Sequence, residues 1–168
     1  RQEGGAAMMA EAWGKATGTP GICFVTRGPG ATNASAGIHV AHQDSTPMIL
    51  FVGQINSAIR HREGFQELDY RQVFGSMTKW VAEIDTADRV QEMIARAWSI
   101  AISGRPGPVV LVLPEDCLAD EAEYLSRQPS PYIFNTPHPQ QLDQMLNLLE
   151  HAKQPMVIVG GSGWNAQA

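Results

Sequence analysis

Three short runs of consecutive apolar residues constrain this chain more than any other feature: Ile22-Cys23-Phe24-Val25, Met48-Ile49-Leu50-Phe51-Val52 and Val109-Val110-Leu111-Val112-Leu113. None shows the polar-apolar alternation of a strand with one wet face, and each has the length of a strand buried on both faces of a parallel sheet. For the first run, length alone leaves a buried helical segment open. Parallel neighbours need a crossover between them, and the intervening stretches supply helical patterns. Residues 6–17 are rich in Ala, Met and Glu and stop at Gly18 with Pro20 behind it, which are helix stop signals. Residues 31–42 read as a second helix, and 44–47 as a turn into the second run.

Residues 87–103 carry Val90, Met93, Ile94, Ala97, Trp98 and Ala101 at three-and-four spacing, with Thr86 placed to cap the start and Gly104 the end. The layout is therefore α/β with a parallel sheet. From 118 to 138 the composition turns to Pro, Ser, Asn and Glu without periodicity, a linker pattern. Beyond it, residues 141–151 place Leu142, Met145, Leu146 and Leu149 on one helical face, and Met156-Val157-Ile158-Val159 reads as a strand running into Gly160-Gly161-Ser162-Gly163. The expected organisation is one domain over 1–117, a linker over 118–138, and the start of a second, Rossmann-like α/β domain over 139–168.

Charge narrows the function. Twelve Lys and Arg against 17 Asp and Glu leave a formal net charge of -5, which lacks the basic footprint of a nucleic-acid binder. No apolar run approaches the roughly 20 residues that span a bilayer, so no membrane partner is expected. Two cysteines, Cys23 and Cys117, are too few for a disulfide framework or a four-ligand zinc site, and buried reduced thiols suit a cytoplasmic protein. His39 and His42 stand three apart on an expected helix, but two ligands without a third make a poor metal site, and no metal-binding residue is assigned. The first residue is Arg1 rather than Met, and the chain is expected to begin inside a longer protein.

Three segments could carry chemistry. Glu3 stands at the mouth of the first helix, whose opening turns are the small residues Gly4-Gly5-Ala6-Ala7; small residues admit a close neighbour, although a carboxylate there also simply favours the helix dipole. Thr26-Arg27-Gly28-Pro29-Gly30-Ala31-Thr32-Asn33 joins a strand to a helix N-terminus, where α/β proteins commonly hold ligands. It lacks the Lys-Ser or Lys-Thr of a triphosphate loop, Asn33 stands where the dinucleotide fingerprint wants Gly, and a plain tight turn fits equally. Gly64-Phe65-Gln66-Glu67 lies in a long polar connection, either functional or a solvated surface loop.

Taken in order, the Glu opening a helix that ends in Ala16-Thr17-Gly18, then Gly28-Pro29-Gly30-Ala31-Thr32-Asn33, Asp44-Ser45-Thr46-Pro47-Met48, Gly53-Gln54, Phe65-Gln66-Glu67 and Arg105-Pro106-Gly107-Pro108-Val109 resemble the acetolactate synthase group of thiamine-diphosphate enzymes. The resemblance covers the chain to about Asp116 and implies that family's pyrimidine-binding fold, a parallel sheet with helices on both faces. It implies that Glu3 bonds a ring nitrogen of the cofactor's aminopyrimidine and favours the imino tautomer that deprotonates the thiazolium carbon. The ylid so formed attacks a 2-oxo acid, and the ring accepts electrons as carbon dioxide leaves. Glu3 and Gln66 are thus the expected catalytic residues; Glu3, Gly28, Pro29 and Asn33 the cofactor-binding ones; Phe65 and Gln66 the substrate-pocket ones.

The family's diphosphate and magnesium are held by a further domain with a Gly-Asp-Gly motif that this chain lacks. The resemblance therefore implies a second subunit completing the site, a homodimer or homotetramer, and a fragment inactive alone. In that assembly burial is expected to raise the pKa of Glu3 against the helix dipole. The glycines at 160–163 could touch FAD, as in flavin-containing relatives, or form a strand-ending turn. Gln2 and Arg27 depart from the family pattern, where His and a small residue are common, and leave the substrate open between pyruvate and those of benzoylformate decarboxylase, benzaldehyde lyase or sulfoacetaldehyde acetyltransferase. A non-catalytic α/β binding or assembly module is the alternative class.

Overall fold

A computed structural model of the protein describes residues 2–124 and 136–161. Its centre is a sheet of four parallel strands, β1 (Gly21–Val25), β2 (Met48–Gln54), β3 (Trp80–Glu83) and β4 (Pro108–Pro114), in the order β1-β2-β4-β3. Strands β2 and β4 are the inner pair, in register from Met48 opposite Pro108 to Gln54 opposite Pro114. Being inner, they are covered on both faces, which is why their sequences are unbroken apolar runs.

Alternate side chains of these two strands enter two cores. Met48, Leu50, Val52, Val110 and Val112 pack with α1 (Glu3–Thr17) and α2 (Pro29–Gln43) on one side. Ile49, Phe51, Val109, Leu111 and Leu113 meet Met93, Ala97 and Ala101 of α4 (Val90–Ile102) on the other. Helices thus cover both faces, as expected. Helix α1 begins at Glu3 rather than at residue 6, because Gln2 caps its first turn by accepting the Gly5 N–H. The helix expected from residue 87 starts instead with a 3-10 turn, Ala87–Arg89, and Thr86 makes no side-chain cap.

Strand β1 corrects one expectation. Among the described residues it pairs with β2 alone, so it stands at the edge of the sheet, and one of its faces is open: Ile22 is 46% and Phe24 67% exposed. Phe24 recovers part of its burial by stacking on Phe51, ring centroids 4.4 Å apart. Strand β3 and the short helix α3 (Tyr70–Phe74) have no counterpart among the expected elements. Helix α5 (Glu115–Ala119) follows β4 directly and buries Cys117.

Helix α6 (Pro139–His151) forms where a helix was expected, closed at its start by a reciprocal His138–Gln141 cap. Every described residue from 136 to 161 is exposed. The expected strand over 156–159 is not formed, and those four side chains are 65% to 86% exposed; a parallel strand needs a neighbour for its N–H and C=O groups, and the described residues offer none. Most of the expected linker, residues 125–135, and Ser162 and Gly163 of the glycine run lie outside the described residues.

The contact between α1 and α2 is set by small residues. A Cβ placed on Gly37 would stand 2.5 Å from that of Ala7, inside any real contact distance. Gly37→Val should therefore lower unfolding free energy by about 1–3 kcal/mol through overpacking, measured by urea denaturation; wild-type stability would show that α1 and α2 can separate at no cost.

Candidate active site

Parallel strands direct their C-terminal ends to one edge of the sheet, and the connections there make the natural ligand site. The β1–α2 turn leaves β1 at Val25, and the connection over residues 55–69 leaves β2 at Gln54. Helix α1 arrives beside α2 with its N-terminus, and so brings Glu3 to the same place. Asn33 Nδ2 donates to Glu3 Oε2 at 3.1 Å. Gly30 lies beside this pair and packs closely on Thr26, since a Cβ there would meet Thr26 Cγ2 at 2.6 Å, while Glu3 Cγ would stand at an ordinary contact distance of 3.7 Å.

Glu3 is half-buried. Its own backbone N–H, and then the Asn33 amide, hold its pKa below the ordinary carboxylate value, outweighing a smaller upward push from burial. In this chain the helix-end donors prevail over desolvation.

Gly28 adopts φ 53° and ψ -109°, a region open to glycine. Its backbone lies against Gln66, because a Cβ on Gly28 would fall 2.8 Å from Gln66 Cβ and 3.0 Å from Gln66 O. Gln66 itself has φ 67°, an uncommon conformation for a residue with a side chain. The structure thus joins Glu3 to Asn33, and Gly28 to Gln66, through a turn of a few residues. Pro29 and Asn33 are exposed at the opening. Phe65, 77% exposed, makes no wall within this chain.

Several supports were not visible in the sequence. Gln54, 1% exposed, donates through Nε2 to Leu68 O and accepts the Ile55 N–H. Glu67 accepts the N–H groups of His61 at 2.8 Å and Gly64 at 3.1 Å. Arg60 lies 3.3 Å from Glu67 in a Coulombic contact without hydrogen-bond alignment, and donates to Glu83 of β3 at 2.7 Å. Asp116 accepts from both the backbone and hydroxyl of Ser57. Arg27 pairs with Glu115. Tyr70 Oη accepts the Gly28 N–H at 2.9 Å. Tyr70 and Gly28, Arg60 and Glu83, Ser57 and Asp116, and Arg27 and Glu115 lie 42, 23, 59 and 88 positions apart, so spacing carries no signal of these pairs. Among the described residues no group of three His, Cys, Asp or Glu could hold a metal ion, and no helix is long and apolar enough to cross a membrane.

Residues 1–73 match the family model described as thiamine pyrophosphate enzyme, N-terminal TPP binding domain. The whole chain aligns at 35% identity with the acetolactate synthase large subunit of Corynebacterium glutamicum and at 38% with that of Parasynechococcus marenigrum, covering 28% of each. The chloroplastic acetolactate synthase of Arabidopsis thaliana is 33% identical over 99% of this chain and 26% of its own length. This chain carries the N-terminal domain of a thiamine pyrophosphate enzyme of the acetolactate synthase family. It spans little more than a quarter of the length of those relatives. The glycine-bearing β1–α2 turn lies within the matched residues 1–73.

The strap on the connection after β2 is electrostatic and titrates. Donation from the His61 N–H, with smaller help from Gly64 and Arg60, lowers the Glu67 pKa from its ordinary 4.5. A lowered pKa contributes order that is complete above the ordinary value and disappears as pH falls through the lowered one. The protection factors of the His61 and Gly64 amides, their exchange relative to an open amide at the same pH, should therefore stay high from neutral pH to about 4.5 and fall below it, while in Glu67→Gln they should be low at every pH. Protection unchanged in the variant would remove Glu67 as the strap.

Proposed function

We propose that this domain supplies the aminopyrimidine-binding half of a thiamine diphosphate site, in an enzyme that decarboxylates a 2-oxo acid and transfers the acyl unit. The observation that carries the reading is the oriented carboxylate of Glu3, held by Asn33 beside the β1–α2 turn. The residues fit the group. Glu3 is half-buried and its carboxylate is held in place by the Asn33 amide, and Pro29 and Asn33 stand exposed beside it, where a ring could approach. Bound thiamine diphosphate supplies the electron sink for loss of carbon dioxide.

The chain's own residues bind, orient and move a proton. Glu3 would hydrogen-bond a ring nitrogen of the bound cofactor and hold or return a proton at its carboxylate. Pro29 and Asn33 would hold the ring's edge. Gln66, pressed against Gly28, offers its amide to the reacting substrate, and Phe65 gives that pocket an apolar wall once another surface covers it. Acetolactate synthesis is the reaction assigned, because the aligned relatives carry that name over the full length of this chain.

In the same reading the diphosphate and a magnesium ion are held by a separate domain, and a second copy of the protein completes the site. The free, buried thiols Cys23 and Cys117 support a reducing compartment such as the cytoplasm. Residues 1–117 form one domain, 118–138 a linker, and 139–168 open a second α/β domain. Support for that division is α6, whose Leu142, Met145, Leu146 and Leu149 remain 40% to 51% exposed, an apolar helical face that the described residues leave uncovered. A chain ended after Tyr124 should melt within about 4 °C of the 168-residue chain; a larger fall would place α6 in the first core.

The decisive test uses the full-length enzyme. Glu3→Gln should leave the melting temperature unchanged and slow exchange of the thiazolium proton about 10²- to 10⁴-fold, with carbon dioxide release from pyruvate falling in step. An exchange rate equal to the wild type would leave the non-catalytic module as the better reading.

A further inference from the structure

We propose that Tyr70 is a positioning residue of this site: by accepting the Gly28 N–H it locks the turn that presents Asn33 to Glu3, while touching neither. The inference rests on the function proposed above and adds a residue to it.

Gly28 is the hinge between β1 and α2, and has no side chain with which to hold its own conformation. Its N–H is buried, points away from any strand ladder, and is taken by Tyr70 Oη at 2.9 Å. Its C=O accepts the Thr32 N–H at 3.0 Å, and the next residue, Asn33, donates to Glu3 at 3.1 Å. Gly28 is thus fixed on one side by the phenol and on the other by the first turn of α2, and the chain passes directly from that turn to Asn33, whose side chain ends on the carboxylate. The same glycine bears on Gln66, so a shift of the turn moves both expected catalytic side chains.

The phenol is itself held firmly. Tyr70 is 3% exposed and its ring lies over that of Phe74, 0% exposed, with centroids 6.3 Å apart. Asp69 caps the helix that carries both by accepting the Arg71 and Gln72 N–H groups at 3.0 and 3.2 Å. Burial raises the Tyr70 pKa from 10.0, so the acceptor is a neutral phenol throughout the working pH range.

Tyr70→Phe keeps the ring packing and leaves the buried Gly28 N–H without its partner. In the full-length enzyme loaded with thiamine diphosphate and magnesium, the variant should melt within about 4 °C of wild type. It should slow thiazolium-proton exchange about 10- to 100-fold per bound cofactor, the range that misplacement by about an ångström produces. KM for the 2-oxo acid should change less than kcat, since Tyr70 does not touch substrate. A merely structural role would lower melting temperature and leave the rate per bound cofactor at the wild-type value, and that result overturns the inference. Failure of the wild type itself to exchange the proton would instead overturn the proposed function. Should the variant not fold, amide exchange at Gly28 in the unsubstituted enzyme decides: strong protection supports the phenol lock, and exchange at the rate of an open amide overturns it.

Discussion

The site depends on how closely α1 and α2 approach. At Gly37 there is no room for a single extra carbon against Ala7, and the facing surfaces are built from Ala7, Ala10, Ala31, Ala34 and Ala41, all buried. Small side chains bring two backbones near each other but contribute little transfer energy of their own. The larger share comes from beneath them, where Ile38, Met48, Leu50 and Val52 are fully buried. The sheet thus supplies the stability, and the alanine-glycine contact converts it into proximity. Only at that separation does the short Asn33 side chain reach Glu3 at 3.1 Å.

The second constraint is that the connection after β2 must hold Gln66 at a positive φ of 67°. That conformation opposes the intrinsic preference of a residue with a Cβ, so neighbouring interactions must maintain it. Glu67 does so from the next position by accepting two backbone N–H groups, and Arg60 ties the loop to β3 through Glu83. Gln54 closes the base of the same loop from the end of β2. Gln54 and Glu83 sit at the ends of β2 and β3, and Arg60 and Glu67 in the connection itself, where a backbone leaving the sheet has N–H and C=O groups in need of partners.

What could be read in the sequence follows from burial. Strands β2 and β4 are enclosed on both faces, so their composition alone reveals them, and α4 shows its amphipathic stripe for the same reason. The order of motifs led to Glu3, Gly28, Asn33 and Gln66, and the structure places the first and third in hydrogen-bond contact and the second and fourth in van der Waals contact. Strand β1 carries as apolar a run as the inner strands, yet sits at an edge with Phe24 exposed, because an apolar side chain does not report whether a neighbour is there to cover it. Strand β3 was illegible for the opposite reason: Trp80-Val81-Ala82-Glu83 is four residues long, mostly half-buried, and ends in a charge. Missing β3 and α3 hid Tyr70 and Glu83, whose partners Gly28 and Arg60 lie 42 and 23 positions away.

Glu3 shows why a geometry that is already assembled is not yet a working site. With the opening uncovered, its own N–H and Asn33 stabilise the charged form and depress its pKa, whereas a carboxyl that shares a proton near neutral pH needs the reverse. Burial already acts in that direction here, but as a smaller effect than the two hydrogen bonds. Covering the opening with a second protein surface would remove water from the carboxylate without removing either bond, so it strengthens only the opposing influence. In the proposed assembly the fold of this domain therefore sets where the carboxylate stands, and the covering subunit sets how readily it takes a proton.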